Sequence, residues 1–292
     1  MSTDTKTHMP MDSSLTASSS TTDAPLTKGD VESASSRENS SLWQYLLADV
    51  DAGQTTWQLA AYCFMTGYVD VVSFSAIFVW CGFQTGNFAQ LALALARLFE
   101  GAPGFRDQTF HRADQQALTS LLSFNLGSFL GRIGDRIGAH KRIWLIGGTF
   151  FQAVLTMASA IAFWKAGQRG IADERDDPAW TNTLSFVGLA FMSASLGLQG
   201  IVGKRLNTQF GTTIVLTTVW VELTTDPGLF KISKKVKSRD HRLIAAGALF
   251  LGAFAGRAIL SQLSTAGTMG VAVGFRVLIA LSWVFVPNKT RP

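Results

Sequence analysis

Two ionisable side chains, Asp70 and Arg276, lie in the middle of long apolar stretches of the sequence. A charged group at the centre of a bilayer costs about 2.5–3.5 kcal/mol on insertion scales, so such groups usually face a partner or a wet cavity. We expect these two residues to lie near each other in the interior of a helix bundle. One interpretation is a substrate-binding or proton-coupling pair, and the other is a structural ion pair.

Two glutamines, Gln152 and Gln199, also interrupt apolar stretches. An amide surrounded by lipid or by apolar side chains must find hydrogen-bond partners, and the simplest role for both is to hold helices together. A second interpretation is that they line a cavity. Gln152 follows Arg132 by twenty residues and Arg276 follows Arg257 by nineteen, so each of the two could face one cavity from its own half of the chain.

Short polar residues begin two of the apolar segments: Thr85 and Asn87 in the first half, Thr213 and Thr217 in the second. Threonine and asparagine at a helix start can cap free backbone N–H groups. The alternative is a break in a membrane helix that faces a substrate, because the exposed N–H groups of such a break attract anionic groups. The sequence leaves both interpretations open.

These candidate residues depend on the apolar segments that carry them. Crossing a hydrocarbon core of ~30 Å takes about 20 apolar residues as a helix. The segments are apolar all round, which favours contact with lipid, and a bilayer forces such segments to be helices. The weakest are 84–100 and 211–229, and either could be a half-helix. Eight segments are predicted, at 57–80, 84–100, 117–136, 143–164, 183–203, 211–229, 243–263 and 268–286.

The apolar part of the chain repeats itself. Leu126–Arg132 recurs as Leu251–Arg257, 125 residues later, with five of seven positions identical. Phe64–Thr66 recurs as Phe191–Ser193, 127 residues later. Two matches at nearly one offset predict two repeated halves, an arrangement found in many transporters.

The repeated segments contain glycine pairs with GxxxG spacing, Gly127 with Gly131 and Gly252 with Gly256. Two glycines one helical turn apart let two helix backbones approach closely. We therefore predict that these four residues mediate helix packing.

The first 50 residues differ from the rest in composition, since they are rich in Ser, Thr and Asp and carry few large apolar side chains. Such a segment cannot bury enough surface to offset its ordering entropy. The prediction is an all-α membrane protein of about 6–8 transmembrane helices in two repeated bundles. Its parts are a disordered tail at 1–50, a first bundle at 51–170 and a second at 171–288.

Charge and motifs restrict the function. Only 15% of the residues are charged, against about one quarter in soluble domains. The net charge of +5 arises between apolar segments, which argues against nucleic-acid binding and fits cytosolic termini. We expect no metal, cofactor or enzymatic activity, because the four histidines are scattered and no HExxH, GxSxG or P-loop motif is present.

Orientation depends on whether the two weak segments cross. If all eight cross, the loops near 101–116, 165–182 and 230–242 lie on the side of both termini. If 84–100 and 211–229 are re-entrant, the termini stay cytosolic and the basic loop 132–142 joins them. Charge counting alone does not separate these two topologies.

Six short segments together carry a family resemblance, and they span nearly everything after residue 55. The segments are Gly67–Phe74, Thr85–Asn87, Leu126–Arg132, Gly197–Gly200, Thr212–Thr213 with Leu216–Thr217, and Leu251–Gly252 with Gly256. In these segments the chain resembles the YoaK family, multi-pass membrane proteins with a DUF1275 domain. It departs from the pattern of that family at Gly200, where asparagine is common, and at Thr217–Thr218, where a Thr-Gly pair is usual.

The resemblance implies a small-molecule transporter without an established substrate. The leading prediction is therefore a secondary transporter or permease in a lipid bilayer, with a cavity between two repeated bundles. The alternative is a non-transporting membrane scaffold or regulatory subunit. Convergence of the buried polar residues on one cavity would favour transport, whereas separate pairing would favour the scaffold. The sequence leaves open whether the protein forms a homo-oligomer.

Overall fold

The structure, a computed structural model of the chain, describes residues 41–172, 179–231 and 234–290. The part of the predicted tail before residue 41 lies outside these ranges. Nine α-helices are present in the described part, and two 3-10 turns, at Ala52–Gln54 and Trp283–Phe285, flank them. The helices are α1 (Thr56–Ile77), α2 (Gln84–Arg97), α3 (Arg112–Leu130), α4 (Ile133–Ile137), α5 (Arg142–Ala166), α6 (Thr183–Arg205), α7 (Leu216–Thr224), α8 (Lys237–Leu260) and α9 (Thr265–Ser282).

Five helices are long and apolar enough to cross a membrane: α1, α5, α6, α8, and α9 with the 3-10 turn that extends it to Phe285. Their lengths of 21 to 25 residues correspond to ~32–38 Å, enough for a hydrocarbon core of ~30 Å. α3 has 19 residues but is more polar, with Arg112 and Asp114 in its first turn. The chain is therefore an all-helical integral membrane protein.

The helices of the two halves of the sequence are interlocked. α1, from the first half, packs along α8, from the second, and α3 packs along α6 in the same way. α5 and α9 pack on each other near the centre, and α5 also packs on α6. The predicted boundary at residue 170 does not separate two bundles, because the most extensive helix contacts join the halves.

One end of the bundle, called face A below, gathers the start of α1, the end of α9 and the loop before α5. Val50 donates a backbone hydrogen bond to the His140 carbonyl, and Asp51 donates one to the Pro287 carbonyl, both at 2.9 Å. Val50 is fully buried. Residues 44–50, predicted as part of the disordered tail, are thus packed on the helical body, and that boundary was placed too late.

The buried side chain of Arg142 holds face A together. Its guanidinium donates to the backbone carbonyls of Tyr45 (2.6 Å), Trp283 (3.3 Å) and Val286 (2.5 Å) and to the Asn288 side chain (2.7 Å). Five donors in a fixed plane suit this multiple contact. The start of α5, the segment before α1 and the end of the chain are joined by this one residue.

The opposite end, face B, gathers the end of α1, the start of α3 and the loop between α5 and α6. Ala172 donates a backbone hydrogen bond to the Ser75 carbonyl at 2.8 Å. The Gln116 amide in α3 donates to the Trp180 carbonyl at 3.2 Å. α1 therefore runs from face A to face B, whereas α3 runs from face B to face A.

A first re-entrant segment, residues 78–97, leaves face B and returns to it. Phe78 takes a left-handed conformation (φ 56°) that ends α1, and the chain then turns inward until the Gly82 N–H reaches the Asp70 carboxylate at 2.7 Å. Asp70 lies seven residues before the end of α1, so this point is ~10 Å inside that end. α2 then runs back outward, where Arg97 pairs with Asp114 in the first turn of α3.

A second re-entrant segment, residues 206–224, enters from face A. It follows α6 inward until the Thr213 carbonyl accepts a hydrogen bond from Thr66 Oγ1 at 3.0 Å. Thr66 is ten residues into α1, ~15 Å from its start. α7 then returns to face A, where Glu222 pairs with Arg242 near the start of α8 at 3.1 Å.

These two segments correspond to the two weakest of the eight predicted apolar segments, 84–100 and 211–229. α2 has 14 residues and α7 has nine, ~21 Å and ~14 Å as helices, which is too short to cross a hydrocarbon core. Both start inside the bundle and end at the face from which the chain entered. They are half-helices, one of the two options that the sequence left open.

Candidate functional site

Arg276 in α9 lies at the centre of the bundle and is fully buried. Its Nη1 atom donates to Gln152 Oε1 at 2.6 Å and to Gln199 Oε1 at 3.3 Å, and its Nη2 atom donates to Ser195 Oγ at 3.2 Å. Both glutamines are also fully buried. Three predicted site residues from three helices, α5, α6 and α9, are thus joined in one cluster.

The second re-entrant segment joins this cluster through Gln199. The Gln199 amide nitrogen donates to Thr66 Oγ1 and the Tyr62 carbonyl, each at 2.9 Å, and to Thr213 Oγ1 at 3.3 Å. Thr213 has a φ of 62°, a left-handed conformation that is rare for a β-branched residue. A strained loop residue therefore contacts the polar centre directly, and such strain persists only where the surroundings impose it.

A hydroxyl cluster on the face A side continues the polar centre. Tyr62 and Thr149 exchange a hydrogen bond at 2.5 Å between their hydroxyl oxygens, and the Trp283 indole N–H donates to Thr149 Oγ1 at 3.0 Å. All three side chains are buried, and a buried Tyr hydroxyl or Trp indole N–H usually finds a hydrogen-bond partner. This cluster links α1, α5 and the end of α9.

Asp70 does not pair with Arg276. One Asp70 oxygen accepts the Gly82 N–H at 2.7 Å, the other has no hydrogen-bond partner, and no ion pair joins Asp70 to any basic residue in the described ranges. The predicted ion pair is wrong because the re-entrant segment inserts its own backbone beside the carboxylate. Within those ranges, Asp70 holds the first re-entrant segment and Arg276 binds neutral groups.

Asn87 is buried at the start of α2 and belongs to a separate polar group. Its amide donates to the Trp80 carbonyl at 2.6 Å and to Ser120 Oγ at 3.2 Å, and Ser120 in turn contacts Ser193 Oγ of α6 at 2.9 Å. Thr85, two residues earlier, points outward and is exposed. The first segment is thus anchored by hydrogen bonds to α3.

Of the two predicted threonines in the second segment, only Thr213 is buried in the polar centre, and Thr217 is exposed on α7. The sequence did not single out Thr66, Tyr62 or Ser195, which complete the cluster. Thr66 lies one position before the Gly67 that begins a family-like segment, which is a weak signal. Hydroxyl residues are too common in membrane helices for pattern alone to select them.

The four predicted packing glycines lie at two helix crossings. A methyl group added at Gly127 would overlap the Ala194 carbonyl of α6, and one at Gly252 would overlap the Phe64 carbonyl of α1. Gly131 and Gly256 follow one turn later, against side chains and backbone of the same partner helices. Removing the Cβ atom at these positions lets the backbones approach closely.

Two unpredicted glycines complete the same crossings. A methyl group at Gly67 would overlap the Leu249 carbonyl, and one at Gly197 would overlap the Phe124 carbonyl. Each crossing therefore has glycines on both helices. These two residues stood in the family-like segments, which was the signal that could have marked them.

Two cavities open on face A beside the second re-entrant segment. The vestibule, of about 360 Å³, is lined by that segment and its neighbours, including Lys204, Gly211, Thr212 and Glu222. A neighbouring cavity of about 450 Å³, which shares Asn207, Thr208 and Gln209 with the vestibule, includes Lys237 and His241. Thr213 lies next to Thr212 in the chain and contacts Gln199, so it separates the vestibule from the polar centre.

The loop before α5 carries one exposed ion pair. Arg205 Nε and Nη2 donate to the two oxygens of Asp135, each at 2.7 Å, in the bidentate geometry typical of a guanidinium and a carboxylate. These hydrogen bonds and the positive charge lower the pKa of Asp135 below its usual value. Asp135 thus fixes the end of α6 at face A.

The buried helices, the closely packed glycine crossings and the two half-helices define the class as a polytopic α-helical membrane protein. No three potential metal ligands of the His, Cys, Asp or Glu type gather at one place in the part of the chain that the structure describes.

The family follows from comparison with known proteins. The family model described as "Protein of unknown function (DUF1275)" matches residues 58–282, and the chain belongs to that family. No curated protein and no solved structure matches the chain.

Proposed function

We propose that the protein is a secondary transporter or permease for a small solute, and that its solute passes through the polar centre around Gln152, Gln199 and Arg276. The observation that carries this proposal is the pair of re-entrant segments, which enter the bundle from opposite faces, the second of them in contact with Gln199 through Thr213. Broken helices near the middle of the membrane are the usual way in which transporters build a binding site. Irregular backbone at that depth is tolerated where protein or a cavity surrounds it.

The order of elements supports an inverted repeat as part of this proposal. α1 runs from face A to face B and is followed by a half-helix at face B, whereas α6 runs from face B to face A and is followed by a half-helix at face A. α3 and α5 then correspond to α8 and α9 with reversed directions. The proposed topology therefore has six membrane-crossing helices, which are the five long apolar helices and α3, together with the half-helices α2 and α7. Alternating access commonly uses such repeats.

The glycine crossings give the register of the proposed repeat. Gly67 of α1 contacts Leu249 of α8, and Gly197 of α6 contacts Phe124 of α3. The two glycines are 130 residues apart in the sequence, and their two partners are 125 residues apart. The contact of Phe64 with Gly252 corresponds in the same way to the contact of Ala194 with Gly127, with the same two separations. The first helices therefore align at an offset of 130, not the 127 that the sequence match indicated, and the third helices align at 125.

Face A is proposed to be cytosolic. In the described ranges it carries more than twice as many basic residues as face B, and cytoplasmic loops concentrate Lys and Arg. This arrangement is the re-entrant topology, in which the loop 132–142 joins the termini. The basic residues of face A are Arg132, Arg136, Lys141, Arg142, Lys204, Arg205, Lys231, Lys234, Lys235, Lys237, Arg239, Arg242 and Lys289; those of face B are Arg97, Arg106, Arg112, Lys165, Arg169 and Arg257.

A non-transporting scaffold remains the second candidate, and one observation favours it. Asp70 and Asn87 make separate contacts, to Gly82 and to Ser120, and do not join the cluster around Arg276. Polar residues that pair off separately would serve helix association alone. The absence of catalytic motifs from the sequence makes a membrane enzyme the weakest of the three classes.

Topology is tested first, with single cysteines on a background in which Cys63 and Cys81 are replaced by alanine. A cysteine at Thr208 should react with a membrane-impermeant maleimide only from the cytosolic side, and one at Gln168 only from the other side. Labelling of both from the same side would contradict the inverted arrangement.

Transport is tested by a metabolite uptake screen of a deletion strain, followed by flux into proteoliposomes that contain the purified protein. Gln199→Ala should reduce uptake of the solute at least tenfold, because it removes the oxygen that accepts a hydrogen bond from the Arg276 guanidinium at 3.3 Å in the polar centre. Thr85→Ala, on the exposed side of α2, is the matched control and should transport normally. Equal uptake by both variants would contradict a path through the polar centre.

A further inference from the structure

The guanidinium of Arg276 is buried without a negative partner. Its three hydrogen bonds go to the neutral oxygens of Gln152, Gln199 and Ser195. In the described ranges no Asp or Glu oxygen lies within 4.0 Å of its nitrogens, and the ion pairs present there do not include it. A buried charge is ordinarily compensated by an opposite charge. The centre of this bundle therefore carries uncompensated positive charge.

Two hydrogen-bond donors at the same place also lack acceptors. The Nε atom of Arg276 and the Nε2 atom of Gln152 are buried and make no hydrogen bond. The Tyr62 hydroxyl, which exchanges a hydrogen bond with Thr149 at 2.5 Å, lies near Gln152 but does not meet the geometry of a hydrogen bond with its Nε2 atom. Unpaired buried donors are uncommon in proteins. Their partner would have to be an acceptor, and a negatively charged acceptor would also compensate the guanidinium.

Arg205 in the same chain shows which ligand binds the edge of a guanidinium formed by its Nε and Nη2 atoms. Its Nε and Nη2 atoms bind the two oxygens of Asp135 at 2.7 Å each. The corresponding Nε atom of Arg276 has no such oxygen beside it. A planar carboxylate or another small oxyanion has the geometry to fill that position.

We infer that Arg276 and Gln152 form a binding site for a small anion, a short carboxylate or an inorganic oxyanion, and that this anion is the solute of the proposed transporter. The binding site is argued independently of the proposed function, and only the statement that the anion is the transported solute rests on it. The lining of the cavities described above includes neither Gln152 nor Arg276, so the ligand must be small and must enter when Thr213 moves away from Gln199. The vestibule next to Thr213 is the entry route from face A.

Binding is tested on the purified full-length protein in detergent by thermal unfolding. Sodium formate, acetate, nitrate and phosphate are titrated at constant ionic strength against sodium gluconate, whose anion is too large for the site. At least one small anion should raise the unfolding temperature of the wild type in a saturable way. Arg276→Gln should weaken that response at least tenfold, whereas Arg205→Gln, which removes an exposed arginine that already has a carboxylate, should retain it.

A second variant keeps the test decisive if Arg276→Gln does not fold. Gln152→Glu keeps the shape of the side chain and places a carboxylate against the guanidinium, in place of the unpaired Nε2 donor. This variant should unfold at a higher temperature than the wild type in gluconate and should respond to no added anion. A wild type that responds to none of the four anions, or a Gln152→Glu variant that responds as the wild type does, would overturn the site.

Flux separates this inference from the transport proposal. The stabilising anion, radiolabelled, is offered to proteoliposomes of wild type and Gln152→Glu; uptake by the wild type alone supports both proposals. Binding without uptake would refute transport of the anion and leave the binding site standing. Uptake of a neutral solute that small anions neither stimulate nor inhibit would refute the anion as the solute and leave transport standing.

Discussion

The two re-entrant segments both enter the bundle from its ends but are held in different ways. In the first, Asp70 binds the Gly82 N–H and Asn87 binds Trp80 and Ser120, so the start of the half-helix is anchored by hydrogen bonds. In the second, Thr213 also accepts hydrogen bonds from Thr66 and Gln199, but the inward turn contains Gly211 and Thr213 at positive φ and two cavities adjoin the segment. One segment is built as a fixed support, and the other as a part that can move.

Under the proposed transport function, we expect this difference to give the two segments different roles. Strain that the surrounding structure imposes can be released when that structure changes, and few contacts oppose local opening next to a cavity. The second segment also contacts the polar centre through Thr213 and Gln199 at 3.3 Å. We therefore expect the face A gate to open at residues 206–215, while the first segment stays in place.

The largest expected effect comes from adding volume in the first segment. A Cβ atom at Gly82 would lie 2.9 Å from Asp70 Oδ2, 3.2 Å from Leu196 and 3.3 Å from Ile214. Gly82→Val should destabilise the protein by roughly 3 kcal/mol, since it overpacks three neighbours and displaces the carboxylate. Thermal or denaturant unfolding in detergent measures this change.

The matched variant in the second segment is Gly211→Ala. Nothing lies within 4 Å of a Cβ atom at this position, and the cost arises from its φ of 58°. We expect a loss of roughly 1 kcal/mol. Equal losses from the two variants would show that the two segments are packed alike.

The next effect concerns the hydrogen bond that anchors the first segment. Asp70→Ala leaves the Gly82 N–H without its acceptor and should cost roughly 2 kcal/mol in unfolding free energy. Asp70→Asn retains an acceptor oxygen and should cost clearly less. If both variants lose the same stability, the negative charge matters more than the hydrogen bond, and the view of Asp70 as an anchor fails.

A smaller difference should appear in the rate of local opening. Cys81 is fully buried in the first segment, and a cysteine can be placed at the buried Ile214 position in the second. The cysteine at position 214 should react with maleimide roughly tenfold faster than Cys81, the ratio expected if opening costs about 1.4 kcal/mol less. Cys63 is replaced by alanine in both proteins, and Cys81 is also replaced by alanine in the protein that carries Ile214→Cys. Similar rates would remove the distinction between support and gate.

The smallest effect is a pH dependence at the outer end of the second segment. Asp226 accepts hydrogen bonds from Ser238 at 2.6 Å and the Gly228 N–H at 2.8 Å, which with Arg242 lower its pKa. Because the folded pKa is depressed, this stabilisation is complete above the unfolded value of about 3.9 and is lost as the pH falls below it.

The check is the unfolding temperature between pH 6 and pH 3. It should fall slightly less in Asp226→Asn than in the wild type, since the variant has no carboxylate to protonate. A fall of the same size in both proteins would mean that this carboxylate does not hold α7 to α8.

Composition along the chain determined the class of this protein. A segment of about 20 apolar residues is soluble in lipid whatever its neighbours do, so the long helices could be predicted from local sequence. The family resemblance came separately, from six short motifs. The same reasoning from hydropathy marked 84–100 and 211–229 as the weakest spans and left open whether they cross. It also selected Gln152, Gln199 and Arg276, because polar groups in apolar segments must be buried against protein.

Only the tertiary structure decided which of these residues meet. Arg276 contacts Gln152 and not Asp70 because the first re-entrant segment places the Gly82 backbone beside Asp70. That outcome depends on helix register, which backbone contacts at Gly67 and Gly197 set between residues more than 70 positions apart in the sequence. Hydropathy measures a segment's affinity for lipid and carries no information about its partner helix, so pairing had to come from packing.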